Sequence, residues 1–188
     1  ETKLLPSQTP MDSSPIFPIE QRVTWPSAGA PLALARDARA WLPVKPETRY
    51  EVSEAGLRML GQSEGDLVEP REILQALYGE RVRFAPVQVR LIFAGGWFQP
   101  IMGFRIEADA AYLSPVTRAL EQRAARVSDI EWRPRRSILR GEAPLSGLIG
   151  YPCSLKRLSG GTAHATLWLS HYEPIWAYSP ETMACYAE

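Results

Sequence analysis

Cysteine and histidine are scarce in this chain, with two of each among 188 residues. Cys153 and Cys185 lie far from any Cys-x-x-Cys spacing, and so read as reduced thiols with neither a disulfide framework nor a zinc knuckle behind them. His164 and His171 are seven apart on one expected strand, an odd separation that sends their side chains to opposite faces and argues against a shared metal. Net charge is also missing, because 21 basic residues meet 21 acidic ones. Nothing global draws the chain to nucleic acid or an anionic membrane, so any such attraction is local. There is no run of about 18 apolar residues to form a membrane span, and the first residues lack the charged-then-apolar layout of a secretory signal; a cytoplasmic setting is expected. The pattern Gly-x-x-x-x-Gly-Lys-[Ser/Thr] is absent as well, which removes the usual phosphate cradle, and neither a nucleotide nor any other cofactor is expected.

What is present is an ordinary globular composition, 45% apolar and 22% charged. Residues 1–14 are polar, proline-punctuated and without period, and read as a flexible or tag-derived lead. After them, Pro15-Ile-Phe-Pro-Ile-Glu-Gln-Arg-Val opens as a strand, and the same kind of opening returns about 85 residues later as Pro100-Ile-Met-Gly-Phe-Arg-Ile-Glu-Ala. In the first copy a helix over 30–42 is expected, with Leu34, Ala38, Trp41 and Leu42 on one face and Pro43 as its stop. Two short strands (50–54 and 56–61), a helix from Pro70 to Gly79 and a long closing strand from Arg81 to Phe93 follow. The second copy repeats the order: strand 102–108, helix 112–125, strand 127–133, strand 136–143, helix 145–158 and strand 162–172.

Strand-helix-strand-strand-helix-strand is the ferredoxin-like βαββαβ arrangement, so the expected class is α+β, with two tandem ferredoxin-like units and antiparallel sheets. The expected boundaries are 15–93 and 100–178, joined by a linker at 94–99 and followed by a tail at 179–188. Trp25, Trp41, Trp168 and Trp176 are expected to pack in cores and edges rather than to form a cofactor site.

Residues 118–140 hold seven arginines (118, 123, 126, 133, 135, 136 and 140) against three acids. Arg126, Arg133, Arg135 and Arg136 with the interleaved Trp132 suit phosphates and an unstacked base; equally, they suit a solvated helix face and a decorated strand turn. Lys156 and Arg157 are candidates for the same contact, although at a helix end they also complement its dipole. Gly160-Gly161 reads as a helix stop. No catalytic residue and no metal site is assigned.

The series Arg-Gly-Glu-Ala-Pro-Leu (140–145), Leu-Ile-Gly-Tyr (148–151), Leu-Lys-Arg-Leu-Ser-Gly-Gly (155–161) and Ser-His-Tyr-Glu-Pro (170–174) resembles domain V of elongation factor G over roughly residues 100–176. More loosely, Gly65-Asp-Leu before a helix and Val82-Arg-Phe-Ala-Pro-Val-Gln-Val-Arg are similar to the end of that family's domain III, although Val68-Glu-Pro stands where the family has Leu-His-Leu. The resemblance implies a non-enzymatic, ribosome-facing body, lacking the GTPase domain and the arm between domains III and V. It would contact ribosomal RNA and stalk-base proteins near the factor-binding region. Two other readings stay open: a protein-interaction module that keeps the fold without the ribosome, and a small-ligand binder using the cleft between the two sheets.

Overall fold

The structure, a computed structural model, describes residues 17–26 and 29–175. The proposed lead at 1–14, Trp176, Cys185 and the tail at 179–188 lie outside them. Two antiparallel sheets are built in the same order. The first contains β1 (Ile19–Thr24), β2 (Thr48–Ser53), β3 (Gly56–Gly61) and β4 (Arg83–Phe84) in the spatial order β2-β3-β1-β4, with β5 (Gln88–Val89) also pairing with β1. The second contains β6 (Ile92–Phe93), β7 (Trp97–Asp109), β8 (Arg126–Trp132), β9 (Arg136–Pro144) and β10 (His164–Pro174), ordered β10-β7-β9-β8 with β6 on β7. In both, the first strand of the unit sits between its third and fourth strands, which is the ferredoxin-like topology.

Each sheet carries helices on one face. In the first unit α1 (Pro31–Trp41) and α2 (Val68–Tyr78) cover Ile19, Val23, Leu57 and Met59. In the second, α3 (Leu113–Glu121), α4 (Leu145–Leu148) and α5 (Tyr151–Leu158) cover Met102, Phe104, Ile106 and Leu139. Alternation along the strands makes this possible: every second side chain faces the helices, and those between face away. No helix among the described residues is long and apolar enough to cross a membrane.

Four expectations change. The closing strand of the first unit is broken, because Pro86 has no N–H to give a ladder; β4 and β5 pair with β1 on either side of it, while β6 joins the second sheet. The segment 94–99 is therefore no free linker: Ala94-Gly95-Gly96 turns the β6–β7 hairpin, with Gly95 at φ 70°, and β7 begins at Trp97. The single helix expected over 145–158 is two, separated at Gly150, whose φ of 71° no continuing helix adopts. Finally, Trp41 is 60% exposed and leaves the inward face of α1, while Ala38 and Leu42 are buried and Leu34 half-buried there as expected, with Ala35 beside them.

The two units touch through polar and apolar groups. Glu64, in the 3-10 turn Glu64–Leu67 ahead of α2, accepts a hydrogen bond from the Gly150 N–H at 2.8 Å, placing a carboxylate at the N-terminus of α5. Beside it runs a groove of about 510 Å³ lined by Pro18, Gln62, Ser63 and Asp66 from one unit and Met102, Leu167, Trp168 and Leu169 from the other.

Candidate nucleic-acid interface

The arginines singled out by the sequence do not all face water with a charge to offer. On the second sheet four of them, with Arg105 of β7, meet five carboxylates. Arg126 pairs with Glu173 at 2.6 Å, Arg133 with Glu131 at 2.7 Å, and Arg136 with Asp109 at 3.5 Å and Glu107 at 3.9 Å. Arg140 bridges Asp129 at 2.9 Å and Glu131 at 3.0 Å, and Arg105 holds Glu107 at 2.5 Å. Hydrogen bonds from Arg133 and then Arg140 hold the Glu131 carboxyl below its ordinary range, and a hydrogen bond from Arg126 does the same for Glu173. The acids that neutralise the stretch come partly from outside it: Glu107 and Asp109 from β7, Glu173 from β10. Strand pairing brings them in, so counting residues 118–140 alone overstates the charge.

The remaining cations sit elsewhere. Arg135 is exposed in the β8–β9 turn next to Trp132, which is 69% exposed. Arg118 on α3 and Lys156 and Arg157 on α5 are exposed and have no carboxylate partner among the described residues. Arg123, just after α3, reaches across to α5: its guanidinium donates to Ser154 Oγ at 3.4 Å and lies 5.3 Å from the Tyr151 ring centroid. That ring is fully buried; desolvation pushes its hydroxyl up to about 12, against the opposing pull of Arg123. The structure thus divides the candidate residues between two places. Lys156 and Arg157 share the helix layer with Arg118 and Arg123, which the sequence alone does not single out for the site, whereas Arg126 and Arg136 on the sheet, and Arg133 just beyond β8, are in ion pairs.

Other sequence features resolve into structural roles. A β-bulge between Leu169 and His171 changes the register of β10, so His164 pairs with Glu107 and His171 with Ile101. Both histidines therefore lie on the face of the odd-numbered β7 residues, not on opposite faces as expected. Their separation along the strand, roughly 20 Å, still keeps them apart, and no metal-type cluster occurs among the described residues. Trp25 is buried against Tyr78, with ring centroids 5.4 Å apart, while Trp168 is 48% exposed and lies flat over Gly103. A Cβ on Gly103 would come within 2.5 Å of that indole, so glycine is what lets the ring rest on the sheet.

One pattern passed over in the sequence is Gly61-Gln62-Ser63-Glu64-Gly65, which has Gly-x-Ser-x-Gly spacing and lies between a strand and a helix. Ser63 has relaxed extended angles, φ −143° and ψ 164°, instead of the strained turn a nucleophile needs. Its hydroxyl donates to Asp66 Oδ2 at 3.0 Å, and the Ser63 N–H donates to the same oxygen at 2.7 Å. It is a capping box, not a nucleophile elbow.

With that geometry in place, the comparisons fall into order. A family model described as elongation factor G C-terminus matches residues 99–182. The chain is 33% identical over 85 residues to elongation factor G of Cytophaga hutchinsonii, covering 45% of this chain and 12% of that protein. It is 36% identical over 83 residues to mitochondrial ribosome-releasing factor 2 of Danio rerio, covering 44% of this chain and 11% of that protein. A crystal structure from Thermus thermophilus superposes with a TM-score of 0.59 and 16% identity over 89% of this chain and 42% of its own. At that identity the likeness shows the fold alone, but it extends over both sheets. Residues 99–182, and with them the second ferredoxin-like unit, match the elongation factor G C-terminus family.

Proposed function

We propose that this chain is a non-enzymatic translation-factor-like module that binds the ribosome, with its helix layer against ribosomal RNA. The observation that carries this reading is the contrast in pairing: Arg118, Lys156 and Arg157 stand on α3 and α5 without carboxylate partners among the described residues, whereas five arginines of the adjoining sheet are neutralised. An arginine already held by a carboxylate must break that pair to meet a phosphate; an unpaired one exchanges only water and counterions. The family match of the second unit supplies the partner class. The looser likeness of the first unit to domain III of the same family supports reading it as the neighbouring body. Stalk-base proteins near the factor-binding region complete the proposed contact.

Co-sedimentation with ribosomes over a salt series tests this. The wild-type chain pellets at low salt and is released steeply as salt rises. Arg118→Gln with Arg157→Gln flattens that release, reducing the slope of log K against log salt by roughly 1.4 to 1.8 for two lost phosphate contacts. Absence of pelleting at low salt would overturn the reading and favour a protein partner away from the ribosome.

A further inference from the structure

The face of the first sheet turned away from α1 and α2 carries its own cluster of arginines. Arg22 on β1 lies directly opposite Arg58 on β3, which in turn lies opposite Glu51 on β2. In the neighbouring row of the same face stand Arg49 on β2, Leu60 on β3 and Glu20 on β1. Two like charges facing each other across a strand pair are ordinarily destabilising. Here they are bridged: Glu20 takes Arg58 at 3.5 Å, Arg90 at 3.6 Å and Arg22 at 3.8 Å, and Glu51 takes Arg58 at 2.5 Å and Arg49 at 3.5 Å. Four guanidinium groups share two carboxylates, leaving two positive charges uncompensated within the cluster.

We infer that this face is a second RNA-contact surface, which takes the phosphodiester backbone without reading bases; the assignment of RNA rests on the function proposed above. Three observations support the ligand chemistry. The surplus is of guanidinium, whose planar fork matches phosphate oxygens. Arg22 and Arg49 are 66% and 60% exposed and sit at the longer ends of their pairs, so each can turn to a ligand while Arg58 and Arg90 keep the carboxylates satisfied. Arg22 and Arg58 also border a concavity of about 270 Å³ with Glu51 and the β2–β3 turn around Ser53 and Gly56, large enough to seat a phosphate group. Against an acidic peptide stands the lack of apolar anchors: none of the large exposed hydrophobic residues falls on β1, β2 or β3. A peptide interface draws its affinity from such anchors, and a phosphate backbone does not need them.

The test measures binding of a fluorescent uridine oligomer to the full chain across a salt series, with oligoglutamate as the alternative anion. Arg22→Gln with Arg49→Gln should lower the slope of log K against log salt by about 1.4, two single-strand phosphate contacts. Arg22→Lys with Arg49→Lys should keep the slope while weakening binding, and an unchanged thermal midpoint shows that the fold is intact. If the slope stays at the wild-type value in the glutamine pair but falls in Arg118→Gln with Arg157→Gln, this surface is overturned and the helix-layer reading stands. If the helix-layer pair leaves the slope alone while the sheet pair lowers it, this surface stands and the helix-layer reading falls. Tighter binding of oligoglutamate than of the oligomer, lost in the glutamine pair, overturns the RNA assignment in favour of an acidic protein.

Discussion

The two sheets share one topology yet dispose of their arginines in opposite ways. On the second, five arginines meet five carboxylates, and no positive charge is left over. On the first, Glu20 and Glu51 are divided among four arginines, and the positive charge is left over. The lesson concerns where to look for an electrostatic footprint: the stretch richest in arginine along the chain is not the surface richest in unpaired charge, because strand pairing imports acids from elsewhere in the sequence. Only the unpaired remainder is free to meet an anion without first breaking an ion pair.

The largest expected effect tests whether the balanced face depends on its outer strand. A Cβ on Gly141 would fall 2.2 Å from the Arg126 carbonyl and 2.6 Å from the Phe104 ring, so Gly141→Ala must push β8 off β9. We expect a loss of about 2–3 kcal/mol in urea unfolding, within the range for overpacked cores. Wild-type stability in that variant would show that β8 is loosely held and that its ion pairs define no fixed face.

Next comes Glu20→Ala. Its carboxylate is nearly buried beneath three arginines, and its removal leaves Arg22 and Arg58 facing each other without a bridge. A loss of about 1–3 kcal/mol follows from removing a charged, hydrogen-bonded partner at a buried site, whereas Glu131→Gln on the exposed second sheet should leave the urea midpoint where it was. Equal effects of the two substitutions would erase the distinction between the faces.

The smallest effect is on acidification. Glu131 and Glu173 titrate below the usual carboxylate range in the folded chain. Depressed folded values mean that the stability from these pairs is present above the ordinary carboxylate pKa and is lost as pH falls through the depressed values. In that window Arg126 and Arg133 are released, so affinity for a uridine oligomer should rise roughly twofold as pH drops, each freed guanidinium adding to the charge available to phosphate. Glu131→Gln should show part of the rise already at neutral pH. A flat profile in both proteins would mean that the pairs never limited binding.

Much of this fold could be read in the sequence, because the alternation of β7 and the apolar spacing of α3 each obey one period along their length. The repeat of strand and helix order disclosed the two units. What escaped depends on single residues with local consequences. Pro86 splits a strand, Gly150 splits a helix, and the Ser170 bulge turns His171 to the other face. The candidate site was harder for a different reason. Lys156 and Arg157 could be named from one segment, but the pairing of Arg126 with Glu173 spans 47 residues and emerges only when β8 and β10 are folded into one sheet. The arginine cluster of the first sheet, drawn from β1, β2, β3 and the segment beyond β5, has no signature in any one stretch.

The hydrogen bond from Gly150 to Glu64 ties the fate of a helix to a neighbour's side chain. The helix that displays Lys156 and Arg157 has the amide at its entrance closed not by a residue of its own unit but by one belonging to the other. Drawing the units apart would strip that amide of its acceptor and loosen the opening turn of α5. The placement of Lys156 and Arg157 thereby depends on a carboxylate that the other unit supplies.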